Sequence, residues 1–139
     1  MPSTTVAPRR PQHELGSEAL TAGIRVTVRP QYLQNQSKPA IKQYLFLYHV
    51  TIRNEGGFAA KLLRRHWTIV DAEGDRREVD GEGVVGHTPH LQPGEHFEYA
   101  SYCPLPTPWG TMEGRYEFTR DDGAAFNAET GRFYLVSAP

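Results

Sequence analysis

The chain has one cysteine, Cys103, so no disulfide can form within it. That excludes the stapled frameworks of small secreted domains and suits a reducing compartment. Long hydrophobic runs are missing too. The longest spans Tyr44 to Tyr48, far short of the ~20 residues a membrane helix requires. Charge of one sign is equally scarce: 15 Lys and Arg stand against 16 Asp and Glu, a formal net charge of −1. Nucleic-acid binders carry a basic excess or stripe, and none is visible. The N-terminus lacks the apolar stretch of a secretory signal. These absences predict a cytoplasmic protein that engages neither membrane nor nucleic acid. No helical period persists beyond two turns.

What is present is period-two alternation broken by turn residues. At 139 residues the chain has the size of one domain and can bury roughly two-thirds of its unfolded surface. Residues 1–18, with Pro2, Pro8, Pro11 and Arg9-Arg10, have almost nothing to bury and read as a flexible tail. Residues 19–139 read as one domain. Ile24, Val26 and Val28 alternate with polar residues, and Pro30 points to an edge position or bulge there. Tyr44, Phe46, Tyr48, Val50 and Ile52 form the longest alternating series, ended by Asn54-Glu55-Gly56-Gly57. Further strands follow at Lys61 to Asp71, Arg76 to Asp80, Phe97 to Cys103, Met112 to Thr119 and Phe133 to Val136, the last with a paired piece near Phe126. Gly81 to Pro89 and Pro104 to Gly110 read as loops. Short strands at this spacing, seven or eight in all, predict an all-β fold, a two-sheet antiparallel sandwich or a barrel. The predicted core holds Phe46, Tyr48, Val50, Trp67, Ile69, Phe97, Tyr99, Tyr116 and Phe118.

Each chemically suggestive group competes with a plainer explanation. Gly81-Glu82-Gly83-Val84-Val85-Gly86 matches the spacing of a dinucleotide fingerprint. That fingerprint needs a helix after it to receive the pyrophosphate, and Val-Val-Gly-His-Thr-Pro cannot start one. A bent connection with positive-φ glycines fits better. If Leu63, Trp67 and Ile69 face the core, Arg65 shares their parity. It then needs an ion pair with Asp80, Glu82 or Glu113, or else contacts an anion or partner beside the Gly-rich loop. His66, Glu82, Gly83 and His87 are the other candidates for such a contact. His87, His90 and His96 lie close in sequence, but their spacing in a loop sets no ligand geometry, so no metal site is assigned. Ser101 sits in a strand rather than a nucleophile elbow. Cys103 has no adjacent cationic neighbour to activate it and reads as a small buried hydrophobe. No catalytic constellation emerges, no cofactor is implied, and the chain is predicted not to be an enzyme.

The strand from Tyr44 adds a different kind of candidate. One face suffices for a core, yet Leu45 and Leu47 point the other way, where a one-sided antiparallel strand should be polar. Apolar residues on an outer face need cover. A partner protein or a second copy of the chain would supply it, as would an internal loop such as Pro104 to Gly110 with Trp109.

Several of these elements together resemble the bacterial ApaG family. They are Arg65-His66-Trp67, Asp80 to Gly86, Leu91-Gln92-Pro93-Gly94-Glu95, Tyr99 and Ser101, Cys103-Pro104-Leu105, and Thr107 to Tyr116. The resemblance runs from about residue 20 to 136. It departs from the family pattern at Tyr102, where glycine is usual, and in the long N-terminal extension. It implies a fibronectin type III-like or immunoglobulin-like sandwich and no established catalysis. The family is linked to cobalt resistance and magnesium efflux, and its genes often neighbour one for a diadenosine tetraphosphatase. Related domains occur in eukaryotic F-box and polymerase-associated proteins, where protein binding is expected. The expectation is therefore a protein-binding module with an unidentified partner or a homodimer. The competing expectation is a sensor of a small phosphate, nucleotide or divalent metal that uses the Gly81–Gly86 loop.

Overall fold

The computed structural model describes residues 15–137, whose regular elements are all β-strands apart from single 3-10 turns at Gln34–Gln36 and Pro39–Ile41. Nine strands run in chain order among the described residues: β1 (Ser17–Thr21), β2 (Ile24–Tyr32), β3 (Tyr44–Asn54), β4 (Ala60–Asp71), β5 (Arg76–Glu82), β6 (His90–Leu91), β7 (His96–Leu105), β8 (Trp109–Arg120) and β9 (Ala125–Val136). They form the predicted antiparallel sandwich. Sheet one has the order β1-β2-β3-β7, and sheet two the order β5-β4-β8-β9 with β6 on β4.

Alternation dictates the packing. Even-numbered residues of β3 and odd-numbered residues of β7 point inward, so Phe46, Tyr48, Val50, Tyr99 and Cys103 join one buried cluster with Trp67, Tyr116, Phe118 and Phe133. Phe97 is only partly buried, at the rim of that cluster. Pro30 occupies a local edge as predicted. β1 covers β2 only to the pair Ser17↔Val28, so Pro30 owes no N–H on that side.

The structure differs from the sequence expectations at several places, each with a physical cause. Ser17 and Glu18 belong to β1 and pair with Val28 and Thr27, so the sheet takes in the end of the expected tail. Residues 1–14 of that tail lie outside the described residues. Pro104 and Leu105 still pair with Leu45 and Tyr44, which shortens the expected proline loop. Proline is tolerated there because β7 is an edge strand. Residues 125–136 form one continuous strand. In β4 the ladder with β8 shifts between Leu62 and Arg64. The extra residue reverses which parity faces inward. Leu62 is therefore fully buried and Leu63 only half-buried, not the core residue the alternation predicts.

Asn54 shows how a buried polar side chain is satisfied at a strand end. Asn54 is fully buried. Its Nδ2 donates to the carbonyls of Phe58 (2.8 Å) and Leu91 (3.0 Å), and its Oδ1 accepts from Gly56 N–H (2.9 Å). The Asn54-Glu55-Gly56-Gly57 break is thus pinned to β6.

The two long sides of the sandwich differ. On one, β9 packs against β1, with Glu129 N–H donating to Thr21 Oγ1 at 3.3 Å. On the other, the edges of β5 and β7 stand apart, bridged where Arg77 reaches from β5 to the Pro104 carbonyl at 3.2 Å.

Candidate functional site

The Gly81–Gly86 segment serves the fold. β5 runs through Gly81 and ends at Glu82, and no helix follows. Val84 and His87 exchange both backbone hydrogen bonds (2.8 and 2.9 Å) around Val85 and Gly86. Those two central residues have φ of 42° and 83°, a type I′ turn. Gly83 has φ of 60°, and a Cβ there would lie 2.3 Å from the His87 carbonyl oxygen. Gly81 leaves room for a side chain instead, because a Cβ on it would sit 2.7 Å from the Arg65 guanidinium, which would have to move.

That guanidinium fills the space opposite Gly81, the residue paired with Arg65 across β4–β5. The expected ion pair does not form. Arg65 Nη1 donates instead to the backbone carbonyls of Glu82 (3.0 Å) and Gly83 (2.8 Å), not to the carboxylate of Asp80, Glu82 or Glu113. The chain bends back at Gly83, which brings two carbonyls within reach of one nitrogen.

The remaining candidates do not converge on this point. His66 follows Arg65 in the strand and so faces the outside of sheet two. There its Nδ1 meets Asp80 Oδ1 at 2.6 Å and its Nε2 meets Glu78 Oε1 at 2.7 Å. Carboxylates only accept, so both bonds form when both ring nitrogens carry hydrogen. Glu78 also accepts from Arg76 and Thr68. The Arg76 hydrogen bond is the main cause that holds the Glu78 carboxyl below its usual range, Thr68 adding to it. The His87 ring packs on Phe97, with centroids 5.6 Å apart. His90 turns to Asp121 and His96 to Glu98. Among the described residues no three His, Cys, Asp or Glu side chains are placed to hold a metal ion.

Leu45 and Leu47 lie on the outer face of sheet one, as the alternation predicts, and are half-buried. Leu47 is paired with Tyr102 and Leu45 with Pro104, so an apolar strip runs across β3 and β7. Tyr102 is 59% exposed. Part of the cover on Leu45 is internal: the Ser37 hydroxyl accepts from Leu45 N–H at 2.9 Å and ties the residue 33–43 connection down. Trp109 does not contribute, since it lies on sheet two and is 47% exposed.

Sequence reasoning missed the gap between β5 and β7. Tyr48, Arg65, Trp67, Arg77, Ser101 and Cys103 line it. The available signal was parity: Arg77 pairs with Ile69 and Arg65 with Gly81, on the face that carries the core. Cys103 is 2% exposed, and burial pushes its thiol up to about 11. It is thus the inert buried thiol the sequence predicts.

The comparisons with known proteins agree with this architecture. A family model described as the ApaG domain matches residues 34–120. Protein ApaG of Anaeromyxobacter dehalogenans (strain 2CP-C) is 53% identical over 120 residues, spanning 86% of this chain and 94% of the relative. Protein ApaG of Rhodospirillum centenum is 49% identical over 118 residues, 85% of this chain and 91% of the relative. A crystal structure of a Bordetella pertussis protein designated ApaA superposes with a TM-score of 0.81 at 45% identity, covering 85% of this chain and 96% of that one.

Proposed function

The chain belongs to the ApaG family, and we propose that it is a non-enzymatic cytoplasmic module that docks a protein on the outer face of sheet one, where β3 meets the edge of β7. One observation carries this reading. Leu45, Leu47 and Tyr102 form a strip on a face the core does not use, with Tyr102 59% exposed. The strip borders a ten-residue edge strand. Such an edge offers unpaired backbone groups to another strand, and the strip offers apolar area beside it. The Gly81–Gly86 loop needs no ligand to explain its glycines. A role in cobalt or magnesium homeostasis would on this reading run through the partner.

Two variants test the surface. Tyr102→Lys should abolish association, with itself or with the partner, while its melting midpoint stays at the parent's value. Leu45→Lys with Leu47→Lys should do the same to association. Light scattering reads the first quantity and a melting curve the second. Lowered stability with association unchanged in both variants would make the strip internal packing and would contradict the proposal.

A further inference from the structure

The gap between β5 and β7 is a cleft of about 290 Å³ whose polar groups do not match a purely structural role. Two arginines line it from inward-facing positions, Arg65 on β4 and Arg77 on β5. Arg65 is half-buried, where an arginine is ordinarily paired with a carboxylate, and Arg77 stands exposed at the mouth of the cleft. Neither is paired here among the described residues. Arg65 donates to the Glu82 and Gly83 carbonyls through Nη1 alone. Arg77 donates through Nη2 alone, to the Pro104 carbonyl and, at 3.7 Å, to Cys103 Sγ. A guanidinium has five N–H donors, so most of both forks is unused. No acidic side chain lines the cleft.

A third donor belongs to the core. Trp67 is 2% exposed, and its Nε1–H reaches no hydrogen-bond acceptor in the protein. A buried indole N–H usually finds a partner, and leaving one unpaired is costly. The Cε3 edge of the indole lies against β8 at Gly114, where a Cβ would come within 3.0 Å of it. Trp67 is among the residues that line the cleft, its Nε1 buried beneath the surface. Ser101 and Tyr48, opposite one another across β7 and β3, bring two hydroxyls to the same cleft.

We propose that this cleft binds a phosphoryl group, as inorganic phosphate or as the phosphate of a small phosphomonoester. Guanidinium and hydroxyl groups line it from four side chains, Arg65, Arg77, Ser101 and Tyr48, with the unpaired Trp67 indole buried beside them. That suits a dianion with several acceptor oxygens better than a carboxylate with two. The volume lies just below the range of drug-sized pockets, which leaves room for a few atoms beyond the phosphate and not for a nucleotide. The cleft shares Tyr102 with the outer-face strip but not Leu45 or Leu47, so the paired leucine substitutions test the strip without touching the cleft and either assignment can fail alone.

The test is a phosphate titration at constant pH and ionic strength, followed through indole N–H resonances. The protein has two tryptophans, and Trp109→Phe leaves the Trp67 signal alone. Phosphate should shift that signal saturably. Arg77→Gln, at an exposed position, should weaken binding by about tenfold or more, as the loss of charge-assisted donors requires, with the melting midpoint unchanged. Ser101→Ala should weaken it less. Glycerol 3-phosphate run in parallel identifies the source: tighter binding assigns a phosphomonoester, equal binding assigns free phosphate. An unmoved Trp67 signal, an equal shift with acetate, or undiminished binding in both variants would overturn the proposal.

Discussion

Replacing Trp67 by alanine should lower the unfolding free energy by about 3–5 kcal/mol, the usual cost of truncating a core aromatic residue. The indole is 2% exposed and sits where the two sheets meet. Tyr48 from sheet one, and Tyr116 and Phe133 from sheet two, meet it edge-on at centroid separations of 5.5–5.9 Å. No neighbour can move in without leaving its own strand register, so the cavity would not collapse. One effect works the other way. The unpaired Nε1–H disappears with the ring, which recovers part of a desolvation cost and places the expected value toward the lower end. Urea denaturation of the variant and parent measures it. A loss below about 1 kcal/mol, the level of an ordinary surface change, would mean that Trp67 does not hold the sheets together.

Gly83→Ala should cost about 2–3 kcal/mol, from left-handed backbone strain plus disturbed turn hydrogen bonds. Gly83 has φ of 60°, and a new Cβ would lie 2.3 Å from the His87 carbonyl oxygen. Backbone must therefore shift. The shift breaks the Val84–His87 bridge and loosens Val84, which is fully buried. Gly86→Ala is the control within the same loop. Its φ is 83° but a Cβ there meets nothing within 4 Å, so only the strain of about 1–2 kcal/mol applies. Thermal or urea unfolding ranks the pair. Equal, small losses for both would mean that the loop is loosely held and that its glycines answer to something other than packing.

The same loop shows how far the sequence could be taken. Val84-Val85-Gly86-His87-Thr88-Pro89 cannot start a helix, which separates this segment from a nucleotide fingerprint on local grounds, and the type I′ turn shows that no helix forms there. The sandwich was equally accessible, because strict alternation in β3 and β7 leaves one way to bury Phe46, Tyr48 and Tyr99. The bulge between Leu62 and Arg64 was not accessible. A one-residue insertion into a ladder has no local signature when both flanking residues are compatible with a strand. The expected Arg65 ion pair failed for a related reason. Sequence shows charges, whereas the Glu82 and Gly83 carbonyls become available only once the chain turns back at Gly83. β1 went unread because Ser17-Glu18-Ala19-Leu20-Thr21 alternates weakly and takes its order from β2. The outer-face strip was half legible. Leu45 and Leu47 stand out by parity, but Tyr102 joins them only through the β3–β7 register.

Protein docking at that strip is most directly tested by a photo-crosslinking amino acid placed at Tyr102 in living cells of the native host. Tyr134, 41% exposed on sheet two, is the matched control. The account predicts one discrete crosslinked protein, another chain or a second copy, from position 102 and none from 134. Its yield should fall when Leu45 and Leu47 are replaced by lysine. No adduct at position 102, or the same adducts from both positions, would contradict it.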